Sequence, residues 1–264
     1  MLMEAKNQVK IMFLSIKYNI MREMTNRVTF LTNIIFMILN NASFIIQWLI
    51  LFQLRKDIGG YQMNDVLALW ALVASTYGLS HIFFLRAYQL SDLIINGKLD
   101  AFLVQPKSVI LSVITSATSA AAIGDLLYGY IIMLIFHCEM KKIILFTYFT
   151  ITGAIILTAF AVIFGSLSFW IVKGDIIADN LNEATINFST YPEGIFKGIV
   201  KIFLYTIIPV GLVIYVPLNV ILNFQIVMLL FITAFTIVIS LFASLLFNRG
   251  LKRYSSSNLM SARV

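Results

Sequence analysis

Long runs with almost no charge alternate along the chain with short polar segments, and the lengths of the runs predict helices rather than strands. Residues 28–54, 66–88, 109–136, 143–172, 199–216 and 225–247 form six such blocks. A hydrocarbon core is crossed by about 20 helical residues, so the blocks read as six transmembrane helices. Residues 1–27 form an N-terminal amphipathic segment, 89–107 a polar and apolar loop, and 248–264 a basic tail. Residues 173–198 bring Asp175, Asp179, Glu183 and Glu193 together with Ile177, Leu181, Ala184 and Phe188 at helical spacing, and read as an interfacial helix that Tyr191-Pro192 ends. The expected fold class is an all-α polytopic membrane protein with an N-terminal interfacial helix and six spans.

Polar positions inside the blocks refine this picture. In the first segment Val9, Met12, Phe13, Ile16 and Ile20 share a face flanked by Lys6, Lys10 and Lys17, which suits a helix lying in the interface or one packed on the bundle. Span one carries Asn26, Asn33, Asn40 and Gln47 at intervals of seven, one polar side that must face protein or water. That side is either interhelical hydrogen-bond glue or a substrate-facing wall. Span three places Ser112, Ser116, Ala120 and Gly124 at intervals of four, a small-residue seam for close helix packing. Asp125 follows, the most deeply placed carboxylate of the chain, satisfied by a neighbour such as Tyr128 or engaged in function. Pro209 and Gly211 predict a kink in span five.

Composition supports a bilayer as the solvent: 60% of residues are hydrophobic and 12% charged, against about 25% charged in soluble domains. The net charge of +7 lies in loops and tails, so it reads as an orientation signal and not as a nucleic-acid surface. Fifteen of the 19 Lys and Arg fall on the side of the termini, leaving Arg55, Lys56, Lys141 and Lys142 opposite. Both termini are therefore expected in the cytoplasm of a cell with the protein in its inner (plasma) membrane. The first 27 residues lack the pattern of a cleavable signal. The single Cys138 makes no internal disulfide, and His137-Cys138-Glu139 has no second ligand cluster, so no metal site is expected. His81 and Arg86 near the end of span two read as locally satisfied. No Gly-x-x-x-x-Gly-Lys-Ser/Thr, His-Glu-x-x-His or Gly-x-Ser-x-Gly motif occurs, so no catalytic residues are assigned and ATP-driven work needs another subunit.

The run Ile95-Asn96-Gly97-Lys98-Leu99-Asp100-Ala101-Phe102-Leu103-Val104-Gln105-Pro106, the step Gly124-Asp125-Leu126, Tyr191-Pro192, Ile208-Pro209, Val216-Pro217 and the ending Gly250-Leu251-Lys252-Arg253-Tyr254-Ser255 together resemble the type-2 ABC transporter permeases. The resemblance implies a six-span exporter half that pairs with a second permease, identical or similar, and binds two cytoplasmic ABC ATPase subunits. ATP and Mg would sit in those ATPases, with no cofactor in this chain. It also implies that the loop between spans two and three forms a coupling helix. Here Leu93, Ile94, Leu99 and Leu103 would offer an apolar docking surface, Asp92, Lys98 and Asp100 polar contacts around it, and Gly97 a turn. Re-entrant helices between spans five and six are usual in that family, and residues 217–224 look short for them. Asn33, Asn40, Gln47 and Asp125 are the translocation-path candidates, for a lipid, peptide or drug-like substrate. The competing readings are a secondary transporter or channel using Asp125 and the polar side of span one, and a membrane assembly factor without transport.

Overall fold

The computed structural model describes residues 2–105 and 108–255, without the side chains of residues 2–6 and 9, so the expected roles of Lys6, Val9 and Pro106 lie outside the described residues. The chain is 81% helical. Its elements are α1 (Leu2–Glu23), α2 (Arg27–Leu54), α3 (Met63–Phe84), α4 (Leu90–Ile95), α5 (Asp100–Leu103), α6 (Val109–Ile114), α7 (Ala121–Phe136), α8 (Met140–Ser166), α9 (Gly174–Ser189), α10 (Ile199–Thr206), α11 (Val216–Leu222) and α12 (Ile226–Leu251). Among the described residues four helical stretches are long and apolar enough to cross a membrane: Arg27–Leu54, Met63–Ile95, Met140–Phe169 and Ile226–Leu251.

Helices α3 and α8 form the centre. Leu69 and Leu72 of α3, Phe146, Phe149 and Ile156 of α8, and Tyr215 before α11 are all fully buried in one cluster. In contrast α2 and α12 expose Leu, Ile and Phe along most of their length, as helices bordering lipid do. Close packing in the centre depends on glycine. A Cβ on Gly78 of α3 would come within 2.6 Å of the Leu126 nitrogen in α7, and one on Gly129 would run into Ser75 and the Ala71 carbonyl. Gly124 meets α2 in the same way, against the Ile34 carbonyl.

Residues 109–136 do not form one helix, and this corrects the expected Ser112, Ser116, Ala120 and Gly124 seam. Ser112 lies in α6, Ser116 and Ala120 in the break after it, and Gly124 in α7. Hydroxyls compete with the helix ladder here: Thr115 Oγ1 donates to the Leu111 carbonyl at 2.7 Å and Ser116 Oγ to that of Val113 at 2.8 Å. The break is satisfied from outside. Ser15 Oγ (3.0 Å) and Asn19 Nδ2 (3.1 Å) of α1 donate to the Thr115 carbonyl, and Ser119 N donates to that of His81 at 3.2 Å. One side of α1 is thus fixed on the bundle with Ile16 buried, while Phe13, Leu14, Tyr18 and Met21 remain exposed.

The largest departure concerns residues 173–216. Instead of lying across one end as an interfacial segment, α9 runs from end to end. Gly174 packs on Ser168, beside the Phe169 ring that meets Phe247 and Tyr254 at the end holding the C-terminal segment. Beyond its other end Tyr191 meets Trp48, and Gly194 abuts Gly59 in the turn after α2. Its 16 residues reach about 24 Å. The sequence read as a fifth span, 199–216, instead bends by 74° between α10 and the Gly211–Leu222 segment. Val213 reaches Gly153, midway along α8, before α11 turns back so that Phe224 lies under Lys141 Nζ at 4.2 Å. Pro209 explains the bend, since it carries no amide hydrogen for a continuous ladder. Lys201 pairs with Glu193 at 2.7 Å at the far end, so Lys197 and Lys201 leave the terminal side. Ten basic side chains among the described residues then remain on that side against six opposite, and the asymmetry keeps its sign.

Candidate functional site

A cleft of about 520 Å³ opens between α2, α3, α7 and α9. Asp125 of α7 stands in it, half-buried, and accepts a hydrogen bond from Asn41 Nδ2 at 2.6 Å. Asn41 is itself buried and also donates to the Met37 carbonyl at 3.1 Å, so the amide is held against the carboxylate. Phe44 stacks on Trp70 with ring centroids 4.9 Å apart, giving the cleft a flat aromatic wall. Tyr77 and His81 of α3 and Tyr191 after α9 add further rings. His81 Nδ1 lies 3.0 Å from the Tyr77 carbonyl, which only accepts, so Nδ1 carries the proton. Trp70 Nε1 is buried with no hydrogen-bond partner among the described residues.

Of the translocation-path candidates, the structure brings Asn40 and Asp125 into this cleft. Asn33 and Gln47 are exposed on α2 away from its lining, and Asn26 caps α2 by accepting from Thr29 N at 3.2 Å. The spacing of seven therefore selected Asn40 and missed its neighbour Asn41, the residue that holds Asp125. The tandem Asn40-Asn41 was the available signal, because two adjacent amides cannot both lie on one polar stripe. Trp70, Tyr77, Tyr191 and Asn187 were also missed, since they come from α3, α9 and the segment after α9, elements far along the chain from Asn40.

The stretch 91–105 forms α4, a turn and α5. Gly97 has φ +68°, the left-handed region that suits glycine, and reverses the chain there. Asp92 accepts from Lys98 Nζ at 2.9 Å and from Asn96. The expected apolar surface is largely turned inward: Leu93, Ile94 and Leu99 are buried with Val113, Val162 and Phe247. An amphipathic element beside a packed bundle buries its apolar side there first. What it presents outward is Asp92, Asn96, Lys98, Asp100, Leu103 and Val104. A cavity of about 470 Å³ beside it is shared by Arg86, Asp92, Asp175 and Asp179, and α4 packs directly on α9.

At the far end a third pocket, about 540 Å³, is lined by Tyr61, Asp65, Glu193, Tyr205, Tyr215 and Asn219 among others. Tyr205 Oη donates to Glu193 Oε1 at 2.8 Å. Burial first, then the Glu193 and Asp65 charges, push the Tyr61 phenol up to about 12, so it stays neutral at physiological pH.

No group of three or more His, Cys, Asp or Glu suited to a metal occurs among the described residues. No curated relative and no solved structure matches the chain. A helical bundle with apolar helices long enough to cross a membrane suits the family comparison, which does match. The family model described as ABC-2 family transporter protein covers residues 36–258, and the chain therefore belongs to that family, the type-2 ABC transporter permeases.

Proposed function

We propose that the chain is the membrane-spanning half of an ATP-driven exporter, with α2, α3, α6–α7, α8, α9 and α12 as six crossings and α10–α11 re-entering from the outer side. In this reading both termini are cytoplasmic in the inner (plasma) membrane, and α1 lies at the interface. Two ABC ATPase subunits holding ATP and Mg dock on the outward residues of α4–α5, and a second permease, identical or homologous, completes the complex. The observation that carries this reading is the packing of α4 on α9, whose other end walls the cleft. A push on α4–α5 would then reach the cleft through one rigid helix, tilting it between inward- and outward-open arrangements.

Pairing has its own support. α9 exposes Asp179, Asn180, Glu183 and Asn187 along its length, and such a face is costly against lipid. A water-filled path or a second permease would cover it. The docking claim is tested by co-purification of the ATPase with Asp100→Lys combined with Leu103→Asp, both on the outward side. Loss of the ATPase with retained membrane insertion is expected, and retention of it would sink the claim. Asp125 held by Asn41 in an open cleft also suits gradient-driven transport, the second reading. Flux in vesicles at fixed proton gradient, with and without ATP, separates the two, since ATP-independent flux would defeat the exporter.

A further inference from the structure

We infer that the cleft between α2, α3, α7 and α9 selects amphipathic organic cations, molecules with one positive charge on an apolar body of drug size. The inference deepens the transport reading and rests on it for the direction of movement, but the selectivity belongs to the cleft itself. A volume of about 520 Å³ lies within the range of about 300–1,000 Å³ that drug-sized molecules occupy.

Charge decides the sign. Among the described residues Asp125 is the sole carboxylate in the lining, and no Lys or Arg shares it. Asn41 donates an amide proton to it and brings no charge. A carboxylate placed this far along a span is costly without a counter-charge, so an entering cation relieves what an anion would aggravate. The surroundings fit the rest of such a molecule. The stacked pair Phe44 and Trp70 offers ring area, and Tyr77 and Tyr191 stand in the same lining. Aromatic faces attract a poorly hydrated cation and also accept its apolar body. Val73, Ala74 and Ala122 complete an apolar floor. A neutral lipid would fill the same space and leave Asp125 unanswered.

Two isosteric probes of opposite sign test this: tetraphenylphosphonium and tetraphenylborate. Binding to the purified full chain in phosphatidylcholine nanodiscs is measured by equilibrium dialysis, less the binding to protein-free nanodiscs. The wild-type chain is expected to bind the cation at least tenfold more tightly than the anion. Asp125→Asn should weaken cation binding at least tenfold and remove the preference, while Asp125→Glu keeps it. Equal binding of the two ions by the wild-type chain overturns the inference, as it would if protonated His81 cancelled the Asp125 charge. Unchanged cation binding by Asp125→Asn overturns it too. The wild-type comparison needs no variant, so a misfolded mutant leaves it decisive. ATP and ATPase are absent, so failure here leaves ATP-driven export standing, and failure of ATP-driven flux leaves the charge preference standing.

Discussion

The α3–α7 contact and the packed side of α9 are both built from small side chains, and they do opposite things. At the first, Gly78, Ala71, Ser75 and Gly129 let two backbones meet, with Ser75 Oγ donating to the Leu126 carbonyl at 3.4 Å. Little besides backbone separates the helices, so the contact is closed and leaves no room for a ligand. Along α9 the small residues Gly174, Ala178, Thr185 and Ser189 are buried on the bundle, while Asp179, Asn180, Glu183 and Asn187 are left exposed. Small residues therefore fix a helix, and the polar residues opposite them mark where something beyond the single chain belongs.

The sharpest way to break this contrast is Gly78→Leu. A side chain there collides with α7 backbone, so loss of a monodisperse peak in detergent size-exclusion chromatography is expected; a folded protein would mean that the seam is not tight. Leu99→Ala compares inward with outward within the α4–α5 stretch. It should cost about 2–5 kcal/mol, the range for emptying a buried leucine site, whereas Leu103→Ala should stay within about 0.5 kcal/mol. Thermal unfolding of the two variants reads the difference, and similar midpoints would refute the inward assignment of Leu99. Asn41→Ala removes the partner of Asp125 and should cost about 1–3 kcal/mol in the same assay. Asn19→Ala takes one of two donors from the Thr115 carbonyl, and about 1 kcal/mol is expected, since Ser15 still reaches it. Smallest of all is Glu183→Gln on the open face of α9, where an unchanged unfolding midpoint is expected and a large fall would show that the face is already packed.

The amino-acid sequence by itself determined the solvent of this protein and most of its apolar helices. Blocks of about 20 uncharged residues suit a bilayer, and α2, α3, α8 and α12 each cover most of one such block, though Asp65, Lys141, Lys142 and Arg249 fall inside the helices. The excess of Lys and Arg at one end was also legible, because it survives moving Lys197 and Lys201 across. Two assignments needed the tertiary structure. Hydropathy read residues 199–216 as one straight helix and 173–198 as an interfacial segment, since a window average reports neither a bend nor what a helix packs against. Chain neighbours decided it: Gly194 against Gly59, Gly174 against Ser168 and Val213 against Gly153 fix the ends and depth of each piece. The cleft was hidden for the same reason. Asp125 could be singled out from its depth in an apolar block, but Asn41, Trp70 and Tyr191 come to it from separate elements, and only helix packing specifies which side chains of different helices meet.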